Sequence, residues 1–388
     1  MTGLARVRDV AVVGAGIAAL AAAIAFRRGL PDARVMLFSG ADAGPDYPGA
    51  AAAFLHRFHR LVGLDEGLFR RRAGAVNVGE SDFQRGELAP LRLIPVEELP
   101  YVDGAALHQL WLRRTAGGSG PGWNEVARRA AARAGIDGLG VRFDGAAYQA
   151  LLAEMATSIG VELRPEAPEA ASLTAEFDLV ISAERDAADR AELHGVPGTF
   201  AWTVEKPGAG SSAVERIRLG AGEATWSTPA WQAEARWAAD SATAGRVVQA
   251  MDGKLLRVGR AAVQCETFDG QPLAVALAGI VRALELLPRP CASGREAAEY
   301  NRRSAIVHDF LLDWAAARWG LAGSVPSGLA ALRTQFSERG RIPFRDEDPL
   351  PPGHWISWFL ANGTRPRQAD LTAMAMSEER LSEVFRGV

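Results

Sequence analysis

The chain has 388 residues, 48% of them hydrophobic, enough for one large domain or two intimate domains with a buried core. A formal net charge of −3 lacks the basic footprint of a nucleic-acid binder. Cys265 and Cys291 form no C-x-x-C, which argues against a disulfide framework or a cysteine zinc site and fits a reducing cytoplasm.

From the N-terminus, residues 9–13 read as a short buried parallel strand. Gly14-Ala15-Gly16 breaks it, and Ile17 to Arg28 is Ala-rich and helical. The apolar run from Ile17 to Phe26 is too short to span a bilayer and ends in Arg27-Arg28, while Gly14 and Gly16 interrupt the order of a signal peptide. A cytoplasmic protein without membrane partners is therefore expected. Ala33 to Phe38 reads as the second strand, Pro45 to Gly49 as a loop and Ala50 to Val62 as a helix. Strands and turns are predicted from Ala75 to Ile94. Thr115 to Gly122 reads as a flexible loop, a lid or a domain junction. Tyr148 to Ile159 has the spacing of an amphipathic helix, and Phe177 to Ser182 reads as a buried strand. Residues 200–250 alternate strands with turns at Pro207-Gly208 and Gly220–Gly222. Lys254 to Val258 is predicted as a strand. Helices are predicted over Leu273–Leu287, Arg295–Trp319 and Ala330–Phe336, followed by a Pro-rich turn at Pro349–Gly353 and a helical C-terminus.

This alternation places the chain among α/β folds. The expected organisation is a discontinuous Rossmann-like domain with a parallel sheet (1–75, 140–195 and 250–290), intimately joined to a substrate-side sheet layer (76–139 and 196–249). A C-terminal helical region covers 291–388.

Gly14-Ala15-Gly16-Ile17-Ala18-Ala19 is a G-x-G-x-x-A fingerprint between a strand and a helix. The first glycine makes the tight turn, the second admits the pyrophosphate, and the small Ala19 lets helix and strand pack closely. The helix N-terminus offers N–H groups and the positive end of its dipole to phosphates. The unit predicts an adenine dinucleotide site, best suited to FAD. The second strand ends in Ser39 where an acidic residue normally bonds the ribose, so the ribose site is the weaker part.

Several later segments, colinear from residue 9 to about 375, resemble the flavin-dependent tryptophan halogenases, a branch of the FAD monooxygenase fold. They are Val62-Gly63-Leu64-Asp65-Glu66 with Phe69 and Arg71-Arg72; Leu107-His108-Gln109-Leu110-Trp111-Leu112-Arg113; Phe143-Asp144 with Tyr148, Leu151-Leu152 and Gly160-Val161; Glu299-Tyr300-Asn301-Arg302-Arg303 with His308 to Leu311; and Trp355 to Pro366. Members of that family are usually longer, which implies a divergent, shortened member.

The resemblance implies reduced FAD supplied by a separate flavin reductase, O2, and oxidation of halide to hypohalous acid. A lysine then directs the acid onto an indole or phenol ring, with help from a glutamate. The lysine belongs to an FKLG segment, matched here by Ala75-Val76-Asn77-Val78-Gly79, so Asn77 or Val78 takes its place. Of 43 basic residues only Lys206 and Lys254 are lysine, so no registration restores it. Asparagine can neither form a chloramine nor act as a cationic donor. The flavin and halide loop is matched by Gly259 to Pro272, with Gly259, Ala261, Ala262 and Glu266 retained. Arg260 replaces a small polar residue and can itself meet a cofactor phosphate. Asp269 stands for the catalytic glutamate, Gly270-Gln271 for a Ser-Thr pair, and Pro272 for a glycine whose N–H faces the site. Glu184 replaces a cofactor-side glycine, and its charge opposes phosphate.

The expected site is thus Asp269 and Glu266 for catalysis, Gly14, Gly16, Ala19, Ser39, Gly259 and Arg260 for FAD, and His108, Trp111 and Trp226 on the substrate side. Three readings stand. One is a flavoenzyme that oxidises an aromatic or peptide-borne substrate without halogenating. Another is a non-catalytic partner subunit of an active relative, with FAD weakened or lost. The third is a true FADH2-dependent halogenase. Oligomeric state is left open.

Other features read as structural. His56 and His59 stand three apart on a predicted helix and share a face with Arg60; without a Glu-x-x-His companion they suggest a basic helix face rather than a metal site. Asp346-Glu347-Asp348 reads as an exposed acidic turn. Trp355 and Trp358 fit a helix core as well as the family segment.

Overall fold

The computed structural model describes residues 7–40, 47, 49–52, 54–85, 91–93, 100–118, 120–133, 140–183, 190–194, 199–205, 213–219, 237–238, 244–264, 270–286, 294–319, 326–343 and 352–387. The chain divides into two compact units. The first takes Met1–Val76, Val141–Val196 and Asp240–Ala315; the second takes Asn77–Gly140, Pro197–Ala239 and Ala316–Val388. No described helix is long and apolar enough to cross a membrane.

The first unit is built on a sheet with the order Met251–Asp252, Leu255–Arg257, Leu179–Ser182, Asp9–Val13, Arg34–Phe38, Glu162–Arg164. Every pairing is parallel except the edge hairpin of the first two strands. Asp9–Val13 lies inside the sheet, with Val10 opposite both Leu179 and Val35. A strand covered on both faces must be apolar throughout, which explains its continuous run. Val10 and Val12 pack into a core with the helix Ile17–Gly29, and Ala11 and Val13 pack on the other face with Leu173, Phe177 and Val180.

Ile17–Gly29 is buried from Ile17 through Phe26, and its alanines let neighbouring elements approach closely. It touches the helices Gly145–Ser158 and Gln271–Leu286. The helix stops at Leu30, the residue before Pro31, with Arg27 and Arg28 in the last turn where cations suit the dipole. Gly145–Ser158 starts on Asp144, whose carboxylate accepts from Ala147 N at 2.9 Å, and ends with left-handed Gly160.

In the second unit Thr199–Glu205 pairs antiparallel with Ala213–Leu219 and with Trp237–Ala238. Ala213–Leu219 runs parallel to Val76–Arg85, the strand that starts at the unit boundary, and Leu91–Leu93 pairs with the latter. The helices Leu107–Arg114, Trp123–Arg133, Ser327–Arg339, Pro352–Ala361, Leu371–Ala375 and Glu378–Gly387 also belong to this unit.

The strand and helix expectations that fall on described residues hold in order; the turns at Pro207-Gly208 and Gly220–Gly222 lie outside those residues. The turn expected at Pro349–Gly353 is corrected at its end, since Pro352 and Gly353 open the helix Pro352–Ala361, where a proline suits the first turn. Three further corrections follow from the fold. Ala50–Val62 is not one helix: Ala50–Ala52 is a strand, and the helix is Phe54–Val62. Gly49, at φ 83°, fixes the backbone there, and its carbonyl accepts from Phe143 N at 2.8 Å. Secondly, the Gly-rich stretch from Thr115 is no junction between units, since both flanking helices lie in the second unit. Trp111 Nε1 donates to Pro121 O at 2.8 Å, tying one side of that turn to the other. Thirdly, those two flanking helices were not anticipated. In Leu107–Arg114 every residue from Leu107 to Leu112 is buried, so the apolar stripe that marks an amphipathic helix is absent. The acidic turn at Asp346–Asp348 lies outside the described residues.

Candidate active site

The C-terminal end of Asp9–Val13 is where the strand order reverses, the usual place for a dinucleotide in an open α/β sheet. Gly14 leaves the strand at φ 140°, a conformation an L side chain rarely adopts, and its N–H donates to Phe38 O at 2.9 Å. Gly16 is the N-cap of Ile17–Gly29. It supplies no side-chain cap, and the first turn of the helix holds no acidic residue of its own. Ala19 is fully buried, as close packing of helix on strand requires. Gln149 Nε2 donates to Ala15 O at 3.1 Å and holds the turn from the Gly145–Ser158 helix.

A second glycine turn meets the first. Leu255–Arg257 leads into Gly259-Arg260-Ala261, and Val258 N donates to Ser182 O at 2.9 Å. Gly259 has φ 56°, and a Cβ there would come to 2.8 Å from the Tyr47 hydroxyl and 3.1 Å from Ala18 Cβ. The turn therefore sits against the opening turn of the nucleotide helix because residue 259 has no side chain. Arg260 is half-buried within it, while Ala261 and Ala262 are buried.

Further on, Glu266 and Asp269, the expected catalytic carboxylates, lie outside the described residues. Gly270 is left-handed at φ 77°, and its carbonyl accepts from Ala274 N at 3.1 Å. Pro272 stands in the first turn of Gln271–Leu286, where a missing N–H costs the helix nothing. The residue read as a loss at an anion site thus has a structural role as a helix starter.

Ser39 Oγ donates to Arg164 O at 3.3 Å, which leaves its oxygen lone pairs to accept from a ribose hydroxyl. Asn77, which with Val78 was expected to stand for the lysine, is half-buried in the strand Val76–Arg85. Glu184, Lys206 and Trp226 lie outside the described residues.

In the second unit His108 and Trp111 are buried. His108 Nε2 lies 2.7 Å from the Gly340 carbonyl, so that nitrogen carries the proton and donates. The Trp123 ring packs edge-on against both His108 and Trp111, at centroid distances of 6.5 and 5.6 Å. Arg365 covers the Trp111 ring at 5.1 Å. Trp355 and Trp358 are buried in Pro352–Ala361, as a helix core would have them.

The groups present fit an adenine dinucleotide at its pyrophosphate: a left-handed glycine, a helix start without acid or side-chain cap, and a second side-chain-free turn beside it.

One sequence expectation fails outright. His56 and His59 do not form a basic surface face, because His59 is only 1% exposed and both rings meet Glu66. His56 Nδ1 lies 2.8 Å from Glu66 Oε1, and His59 Nδ1 lies 2.9 Å from Glu66 Oε2. His59 Nε2 is 2.9 Å from the Tyr148 hydroxyl. Burial pushes the His59 pKa down, partly offset by the hydrogen bond and charge of Glu66. Burial alone would raise Glu66, but hydrogen bonds from His59 and His56 outweigh it and hold the carboxyl below its ordinary value. The missed signal was Glu66 at the start of the next helix, seven residues after His59.

No protein-family profile and no curated protein matches the chain. Solved structures do. The flavin-dependent halogenase Xcc4156 from Xanthomonas campestris aligns with a TM-score of 0.77 and 19% identity, over 98% of this chain and 94% of its own. The flavin-dependent halogenase BrvH from Brevundimonas sp. BAL3 aligns with a TM-score of 0.75 and 16% identity, over 98% and 94%. The tryptophan 6-halogenase SttH from Streptomyces toxytricini gives 0.74 and 16%, over 98% and 95%. At these identities the likeness is one of fold: the chain has the α/β fold of the flavin-dependent halogenases.

Proposed function

We propose that this chain belongs to the tryptophan halogenase-like flavoproteins and acts as a flavin-dependent oxidoreductase on an aromatic substrate, an indole or phenol that is free or peptide-borne, without halogenating it. The observation that carries the flavin part is the pair of glycine turns. Left-handed Gly14 and uncapped Gly16 open a helix with no acid in its first turn, and Gly259 lies against Ala18 of that turn. Fold similarity along the whole chain supports it. What argues against halogenation is the absence of any lysine before Lys206, with Asn77 or Val78 at the position the halogenating lysine would take.

In this reading the N-terminus of Ile17–Gly29 holds the FAD pyrophosphate, Arg260 adds a positive charge to a phosphate, and Ser39 accepts from the ribose. Bound FAD would supply the redox chemistry with O2, and a separate flavin reductase the reducing equivalents. Asp269, which stands where the family has its catalytic glutamate, is the proton acceptor, with Glu266 three residues before it.

Purified protein titrated with FAD should show a perturbed flavin absorbance band. Gly16→Val should weaken binding by on the order of a hundredfold, because a displaced pyrophosphate forfeits charge-assisted hydrogen bonds of about 1.5–3 kcal/mol each. Gly16 has an ordinary φ of −89°, so backbone strain does not oppose the variant, and its circular dichroism and melting are compared with the parent's to keep a folding defect apart from a binding one. An absent flavin response at high micromolar concentration, with tight co-purification of another oxidoreductase, would favour the partner-subunit reading. Brominated product in the presence of reductase, FAD, O2 and bromide would overturn the non-halogenating one.

A further inference from the structure

Outside the nucleotide site, one cluster combines metal-binding side chains with a fixed geometry. His56 and His59 project from the helix Phe54–Val62, and Glu66 is the first residue of Glu66–Arg72. Asp65 caps that second helix by accepting from Leu68 N at 2.7 Å, which sets the direction of Glu66. One donor atom from each of the three residues lies within 4.8 Å of the others. The cluster has a closed side and an open side. His59 is buried against Phe69 and Tyr148, at ring-centroid distances of 4.7 and 5.6 Å, whereas His56 and Glu66 keep 31% and 35% side-chain exposure.

We propose that His56 Nδ1, His59 Nδ1 and the Glu66 carboxylate bind a zinc ion, with water as the fourth ligand, and so clip the two helices together. Two imidazoles and a carboxylate are a donor set that zinc takes in tetrahedral sites with an open position. Donors within 4.8 Å of one another must close by roughly an ångström or more to ligate one ion at about 2.0–2.1 Å, and the half-exposed His56 and Glu66 side chains face solvent, where such a movement is open to them. Glu66 supplies the negative charge, and the two imidazoles the nitrogen donors.

Tyr148 gives the site its outer support. Without metal, His59 Nδ1–H donates to Glu66 and Nε2 accepts from the Tyr148 hydroxyl. With zinc on Nδ1, the ring proton must sit on Nε2 and donate to the Tyr148 oxygen, the second partner that orients a ligating histidine. Binding therefore switches the tautomer of a buried ring. Arg70 Nε lies 3.7 Å from Glu66 Oε1 and competes for the carboxylate, so micromolar rather than nanomolar affinity is expected.

The test is calorimetric titration of chelator-treated full-length protein with zinc chloride, alongside nitrogen-15 spectra of the histidine side chains. One site per chain should appear, and the His59 ring should move from the Nδ1–H to the Nε2–H form. His56→Ala and Glu66→Gln should each weaken zinc binding at least tenfold, with the circular dichroism of the metal-free proteins unchanged. Unchanged affinity in both variants, no tautomer switch, or no stoichiometric binding up to millimolar zinc would overturn the proposal and leave the cluster as a hydrogen-bonded clip alone. If His56→Ala disturbs folding, the tautomer switch in the parent protein decides.

Discussion

Gly49→Ala should destabilise the first unit by about 3–5 kcal/mol, a large share of the roughly 5–15 kcal/mol that holds a typical protein folded. Gly49 has φ 83°, and a Cβ there would fall 2.0 Å from the Phe143 carbonyl oxygen. The obstacle is backbone, and it cannot swing aside as a side-chain tip would. The same two residues are tied by Phe143 N donating to Gly49 O at 2.8 Å, so relieving the clash breaks a hydrogen bond in the core. Phe143 also packs against Phe69 and Tyr148, at 5.4 and 5.0 Å between centroids, so a shift there spreads into the aromatic cluster. Gly253→Ala is the control. Its φ is 57°, but a Cβ there meets nothing within 4 Å, so only the left-handed strain of about 1–2 kcal/mol applies. Urea denaturation of both variants checks the argument. Equal losses would show that backbone strain, and not the contact with Phe143, sets the cost.

Acid should begin to weaken the protein at about pH 6.5, above the range in which carboxylates titrate, through two buried histidines, one in each unit. Burial pushes His108 down to about 4, against the raising effect of the Gly340 carbonyl. Burial, with Arg246 and Arg282 nearby, pushes His308 down to about 3. Both are neutral in the fold and free to take a proton at about 6.5 when unfolded. Because the folded pKa lies below the unfolded one, the unfolded state binds more protons as pH falls. Stability is therefore full above about pH 6.5 and declines by about 1.4 kcal/mol per unit for each group. The decline continues to about pH 4 for His108 and about pH 3 for His308, roughly 3 and 5 kcal/mol in all. His108 Nδ1, buried and without a partner among the described residues, is the atom that would have to be protonated. Chemical denaturation at pH 7, 6 and 5 should show the steep loss, and His108→Gln should flatten it. A slope that ignores the substitution would place the acid sensitivity elsewhere.

The local features were legible in the sequence because each has a cause within a few residues. The apolar run of Asp9–Val13 follows from burial on both faces, and the Gly14–Gly16 turn from a backbone that no side chain tolerates. The cap at Asp144 is local too, yet the helix was expected only from Tyr148, where its apolar spacing begins, three residues after its actual start. Pro272 was legible as a missing N–H, while its place in a helix first turn was not, because that depends on where the loop ends.

The sequence by itself determined the strand-turn-helix that can receive a pyrophosphate, the order of the elements and the lack of an early lysine. These rest on backbone sterics, periodicity and composition, which act over short range or not at all through space. Only the tertiary structure decided that Gly259 lies on Ala18, that the Gly340 carbonyl satisfies His108 more than two hundred residues away, and that His56, His59 and Glu66 share one point. Those contacts are selected by packing, where a small residue admits a neighbour and a buried polar atom takes whatever partner the fold brings to it. The opening glycine turn was readable from its own residues, and what it meets was readable only once the chain had closed around it.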